Sequence, residues 1–533
     1  MVPRIHSRAA RAYALAPIFL LVGSLSAAAA THNVPAGGDL QAALNAAQPG
    51  DVVLLAPGAT YSGNFKLPVK NGDGFIVVRT GGNTRGLPGA GMRISPEHAP
   101  ALAKIKSPNT TAALATTAGA HHWRIELVEF GANVNGVGDI ILLGASSSQT
   151  QVSQVPHDLI FDRVYIHGDP TAGQKRGIAL NSGATQIINS YISDIKSIGQ
   201  DSQAIAGWNG TGPYLIENNY LEAAAENVLF GGSDPSIPDL VPSDITIRRN
   251  YFTKPLEWRE QKWQVKNAFE LKNARRVLVE GNIFEHVWVA AQAGYAILFS
   301  TRNQNGKSPW SVVEDVTFRY NVIRHAANAI NISGTDYDYP SMQGSRYRIS
   351  HNLVYDINGA TWGGSGNFLQ VGNQPRDVVV EHNTVQHTGN VLTVYGKRDG
   401  APAVVDGFRF RDNLMRHNKY GVKGESLAVG SATLDAYFRS LSFEANALAG
   451  GKASEYPAGN YFPTVDQFDG AFVNAAEGNF ALVPGSPFRN AASDGQPLGV
   501  DLTTLNAVAS GAPTSTLSTA GSSAPSQPFA RRR

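Results

Sequence analysis

From residue 31 onward the chain is built of short apolar runs separated by polar turns, and the runs recur. One pattern of an apolar residue, two mostly polar residues, Asn and two apolar residues appears as Ile216-Glu-Asn-Asn219-Tyr-Leu221, Ile247-Arg-Arg-Asn250-Tyr-Phe252 and Val279-Glu-Gly-Asn282-Ile-Phe284. It returns as Phe318-Arg-Tyr-Asn321-Val-Ile323, Ile349-Ser-His-Asn352-Leu-Val354, Val380-Glu-His-Asn383-Thr-Val385 and Phe410-Arg-Asp-Asn413-Leu-Met415, with degenerate copies centred on Arg163 and Ser190. The Asn residues are 31, 32, 39, 31, 31 and 30 residues apart. Each period holds three short runs that alternate as half-buried strands do, and no helical period lies between them. This predicts a three-strand coil stacked on itself, each coil burying its apolar side chains against its neighbours. The Asn then falls in the same turn of every coil, where it tolerates a left-handed backbone and its amide hydrogen-bonds along the axis. Asp39 is placed to N-cap a short helix over Leu40–Ala47, ended by Pro49-Gly50 and followed by a strand at Val52–Leu55. Such a helix closes the open end of the stack.

Composition narrows this picture. The 533 residues include 55 Gly and no Cys, and only 16% are charged. Without Cys, a disulfide scaffold, a thiolate metal site and a thiol nucleophile are excluded. Arg4, Arg8 and Arg11 precede the apolar run Ala14–Leu25 and the small residues Ala27–Ala30. That order is a secretory signal peptide over 1–30, and the run is too short to span a bilayer. The processed chain is expected in the periplasm or the medium, with no membrane insertion. It carries 41 basic and 42 acidic residues, a balance that argues against nucleic acid as partner. Residues 31–506 read as one elongated domain, and 507–533, rich in Ser, Thr, Ala and Pro, as a disordered tail. A monomer is expected.

The segment Gly38-Asp-Leu-Gln-Ala-Ala-Leu-Asn-Ala-Ala-Gln-Pro-Gly-Asp-Val-Val-Leu-Leu-Ala-Pro-Gly58, followed by Asn-bearing coils, resembles secreted bacterial proteins of the pectate-lyase-like superfamily over residues 34–500. Phe480-Ala-Leu-Val-Pro-Gly-Ser-Pro487 is similar to their closing segment. The resemblance implies an all-β, right-handed parallel β-helix of about a dozen rungs with a short N-terminal capping helix. That superfamily includes lyases, hydrolases, epimerases and non-catalytic surface proteins.

The strand before each Asn-bearing strand aligns across the coils, and its inward column reads Ile178, Ile205, Val228, Phe269, Ile297, Ile330, Leu369 and Leu392. One outward row then holds Leu229, Glu270, Leu298, Asn331 and Gln370, and the next holds Trp208, Lys272, Ser300 and Ser333. Arg302 falls about 8 Å from Lys272, Cα to Cα. Long loops at Gly232–Ser243, Pro255–Lys266, Thr301–Ser311 and Gly334–Ser345 wall this face. They bring Trp258, Trp263, Trp310, Tyr337 and Tyr339, aromatics of the kind that stack on sugar rings. A polar groove of this kind fits a polysaccharide, with Ser300, Asn331, Gln370, Trp208, Trp310 and Tyr337 as candidate sugar contacts.

Two chemistries compete for the groove. In β-elimination from a uronate polymer, Lys272 is the candidate base, with Arg302 and burial to depress its pKa. Glu270, with Asn331 or Glu226, would hold a hard cation such as Ca²⁺. Phe269-Glu-Leu-Lys272 with Arg302 on the next coil resembles the Glu, Lys and Arg arrangement of alginate and chondroitin lyases of this fold, although those enzymes carry more than one acid beside the metal. In glycoside hydrolysis, Glu226 and Glu270 would pair, from Cα positions about 11 Å apart. A non-catalytic carbohydrate-binding or surface protein is the third reading. Four residues after the ladder Asn stand His286, His325, Asp356, His387 and His417, with His167 earlier. Their parity matches the inward Phe284, Ile323 and Val385, which predicts a structural polar column inside or at a corner of the coil.

Overall fold

The computed structural model describes Met1 and residues 29–398 and 400–510. Three parallel sheets form the three sides of a coil, with 15, 13 and 12 strands among the described residues. We call them sheets A, B and C. A typical turn runs from Gly212–Glu217 in sheet A to Tyr220–Ala223 in B, then Glu226–Phe230 in C, and on to Ser243–Arg248 in A one coil later. Parallel strands joined by such crossovers wind right-handed, and the molecule is a right-handed parallel β-helix.

The inward column is the one the alternation specifies. Ile178, Ile205, Val228, Phe269, Ile297, Ile330, Leu369 and Leu392 pair in register from coil to coil. All eight are fully buried, each stabilising the fold by roughly 1.5–3 kcal/mol over an exposed side chain. The helix Leu40–Ala46 caps the first coils. Asp39 accepts a 2.9 Å bond from the Ala42 N–H, and Leu40 and Leu44 enter the main core.

The Asn ladder forms between sheets A and B. The side-chain oxygen of Asn321 accepts the backbone and side-chain N–H of Asn282, both at 3.0 Å, while its NH₂ reaches the carbonyls of Val279 and Arg319 and the Asn352 oxygen. The ladder continues past Asn413 to Asn446 and Asn460. The left-handed residue, however, is not the ladder Asn but the one before it. Asn218, Arg249, Gly281, Tyr320, His351, His382 and Asp412 have φ between 51° and 65°. That residue turns the corner with its side chain outward, which leaves the Asn amide pointing along the axis. The copy centred on Arg163 is offset for the same reason: Arg163 holds the left-handed position, and Val164 takes the ladder place, its N–H bonded to Ser190 Oγ.

Residues 2–28, nearly all of the expected signal peptide, and residues 511–533 of the expected tail lie outside the described residues. The last helix, Leu502–Ala509, crosses the boundary set at 506. No helix among the described residues is long and apolar enough to cross a membrane.

Candidate active site

Glu270 points out of sheet C from the strand Phe269–Leu271, and Lys272 follows directly after that strand on the same outer side. Glu270 is nonetheless buried, and Lys272 Nζ stands 3.7 Å from its Oε1. Lys272 lines a cleft of about 510 Å³ on the outer face of the sheet, together with Arg176, Asp201, Gln203, Trp208, Leu229 and Gln304. Trp208 also lines an adjoining hollow of about 410 Å³ with Trp310.

A row of polar side chains backs the cleft. Arg176 bonds Asp139 at 2.7 Å and Gln203 at 3.0 Å and stacks on Trp208, and Gln203 donates to Glu226 at 2.8 Å. These residues sit at the first positions of their strands. By parity they belong with the core column, but the corner where each strand begins brings them to the outer side. Sequence reasoning missed Asp139, Arg176 and Gln203 for this reason, although the alignment shifted by two residues contains the whole row.

Glu226 is fully buried, and burial pushes its carboxyl up to about 7; the Glu270 and Asp201 charges add to this, against Lys266 and Gln203. Lys266 Nζ bonds Asp201 at 2.5 Å and stands 3.8 Å from Glu226 Oε1. Beneath lies Lys254, which the sequence marked only as the residue before a loop. It is fully buried, and its ammonium bonds the carbonyls of Ala223, Ala225 and Asn267 and the Asn227 side-chain oxygen at 2.8–3.1 Å. Burial draws it down to about 7, and the Glu226 charge opposes this.

Two buried oxygens in this region, Glu226 Oε1 and Asn267 Oδ1, lack a hydrogen-bond partner among the described residues. Asn267 donates to Glu270 at 3.2 Å. Carboxylate and amide oxygens of Glu226, Asn267 and Glu270 suit a hard cation such as Ca²⁺. Asn331 does not join them. The register Glu270–Leu298–Asn331 puts it two coils away, about 10 Å.

The remaining sequence candidates divide. Ser300 lies beside Lys272 on the next strand, and Gln370 continues the row of Asn331, all on the outer face of sheet C. The Arg302 N–H bonds the Lys272 carbonyl at 2.9 Å, but its guanidinium turns to Asp336 at 3.3 Å and Asp338 at 3.2 Å and stacks under Tyr337 at 4.4 Å. Its charge is thus balanced by the neighbouring Gly334–Ser345 loop rather than turned on Lys272. Tyr337 is exposed, and Trp310 donates to the Leu240 carbonyl. Trp258 is buried in a loop core with Trp288 and Trp362 and does not line the Lys272 cleft.

The fold is a right-handed parallel β-helix with a polar cleft across one sheet. The sequence matches no protein-family model and no curated protein. Among solved structures it is similar to a mannuronic-acid-specific polysaccharide lyase of family 6 from human gut microbiota (13% identity, 81% of this chain and 91% of that chain covered, TM-score 0.49). It is also similar to the catalytic unit of an α-1,3-glucanase from Streptomyces thermodiastaticus (14%, 82% and 70%, 0.49). A third is the A-module of a mannuronan C-5 epimerase from Azotobacter vinelandii (12%, 77% and 94%, 0.44). At these identities no residue role carries over from them.

Proposed function

We propose that the protein is an exported polysaccharide lyase that cleaves a uronic-acid-containing polymer by β-elimination. The observation that carries this reading is Lys272, set against buried Glu270 at 3.7 Å in an open cleft walled by Trp208 and Arg176. Trp208 offers a face for a sugar ring, and Arg176 presents a planar cation for a uronate carboxylate. Lys272 Nζ takes the proton α to the carboxylate. The C–H electron pair becomes the ring double bond, the bond to the glycosidic oxygen breaks, and that oxygen leaves with a proton returned from the lysine. Ca²⁺ held by Glu226, Asn267 and Glu270 would supply positive charge for the substrate carboxylate, which acidifies the α-proton. Arg302 acts as a positioning residue that holds the loop beside Lys272.

Incubation with a panel of uronate polymers tests this. A new ultraviolet absorbance from unsaturated ends is expected on at least one of them. Hydrolysis is the second reading, favoured by one observation: Glu226, pushed up to about 7, neighbours the carboxylate of Glu270, and an acid paired with a carboxylate is what glycosidases use. New reducing ends without ultraviolet absorbance would move the assignment there. Polymer binding without either product would leave a non-catalytic carbohydrate-binding protein.

A further inference from the structure

The corner between sheets B and C carries the histidine column, which the proposed reaction does not use. In most of it both ring nitrogens are occupied. His387 bonds the carbonyls of Gly366 and Arg416, His417 bonds the Asn418 carbonyl and the Tyr456 hydroxyl, and His167 bonds the Gly168 carbonyl and Glu129. Those rings tie coils together, as the sequence reading expected.

His286 and His325 differ. Their φ values are 63° and 55°, a left-handed backbone that breaks strand alternation. Pairing runs Glu285 to Arg324 and then resumes at Val287 with Ala326. The break sets His286 at the corner beside its neighbour Glu285, one of the two places the alternation allowed. His286 Nδ1 stands 3.6 Å from Glu285 Oε1, the two imidazoles stack at 5.4 Å, and one ligand atom from each of Glu285, His286 and His325 falls within 4.8 Å of the others. Ligand atoms around a tetrahedral zinc ion are about 3.3 Å apart, so small side-chain rotations close the set.

We propose that Glu285, His286 and His325 form a three-ligand site for a borderline divalent cation of the zinc class. Two imidazoles and one carboxylate are a donor set for such ions, not for Ca²⁺. His325 and Glu285 already have outer partners of the kind that ligands require. Asp356 accepts from His325 Nδ1 at 2.8 Å and is itself held by Trp362 Nε1 at 3.0 Å. This leaves His325 Nε2 as the ligand atom, with no hydrogen-bond partner among the described residues. Thr253 Oγ1 lies 3.2 Å from His286 Nδ1. On Glu285, Arg324 bonds Oε2 and the Tyr251 hydroxyl bonds Oε1, which keeps a second lone pair. Arg324 and Asp356 bring one charge of each sign, and Glu285 supplies the negative charge the cation meets. The histidines are partly exposed, 21% and 32% of their side chains, which leaves an open side for water as the fourth ligand. The ion would clamp two adjacent coils, Ile283–Val287 and Val322–Ala326.

The test uses the full chain without a histidine tag and Co²⁺ as the probe. The visible absorbance of a four-coordinate Co²⁺ should saturate at one ion per chain and be abolished by Zn²⁺. His286→Asn and His325→Asn should each weaken binding at least a hundredfold; Asn keeps the left-handed backbone accessible, so the metal-free melting curve should stay within a few degrees of the parent. His157→Asn, in the separate cluster where His121 stacks on His157, should change nothing. Anomalous diffraction at the zinc edge from the unaltered protein should place the ion between the three side chains, whatever the variants do. Absence of Co²⁺ binding, binding that survives both substitutions together, or anomalous density elsewhere would overturn the proposal.

Discussion

Glu226 shows most clearly how position sets chemistry for a single residue. Its carboxyl titrates near 7 in the fold because it is buried beside Glu270 and Asp201, against an ordinary value of 4.5. Between those two pH values the folded protein holds a proton that the unfolded chain has released. Stability therefore falls as pH rises through that window and levels off above it. Glu226→Gln keeps the bond from Gln203 and removes the titration. Urea melts should show the variant more stable than the parent by roughly 1–3 kcal/mol at pH 8 and equal to it near pH 4. The sequence left Arg302 two roles, beside Lys272 or fastening its loop through Asp336 or Asp338, and its guanidinium lies on both carboxylates; a loop has no period from which to choose between them. Arg302→Ala should raise KM through loss of loop order, with kcat reduced less than tenfold, as steady-state kinetics on a cleaved polymer will show.

Among the elements, sheet C was readable residue by residue and its edges were not. A repeat of about thirty residues with two-residue alternation fixes both the inward column and the coil-to-coil register. The strand starts and the sheet B–C corner escape that logic because the backbone bends there. This hid Asp139, Arg176 and Gln203, the row that leads to Glu226, and left open whether His286 and His325 lie inside the coil or at its corner. The Asn ladder was legible as architecture, and its energy is checkable. Asn321→Ala strips a partner from the buried backbone and side-chain N–H groups of Asn282 and from the Val279 carbonyl, at about 1–3 kcal/mol for each group left unpaired. A drop of at least 3 kcal/mol in chemical unfolding is expected. At the capping helix, Asp39→Ala should cost about 1 kcal/mol by the same measurement, since it frees only the Ala42 N–H at an exposed end.

The whole molecule is a rigid rod of stacked coils with its polar chemistry gathered on one face. Parallel stacking at about 4.8 Å per coil lines up side chains from distant parts of the chain, so that Asp139, Arg176, Trp208 and Lys272 share one cleft. The cleft is open at the surface and lined with aromatic and charged groups, which supports the proposed sugar polymer over a small apolar ligand. The most direct measurement is the rate of unsaturated-product formation by Lys272→Ala beside the parent, on a uronate polymer the parent cleaves. The proposed mechanism predicts a loss of at least a thousandfold in kcat with an unchanged melting temperature. A variant that turns over at the parent's rate would remove Lys272 from the chemistry and contradict the proposed mechanism.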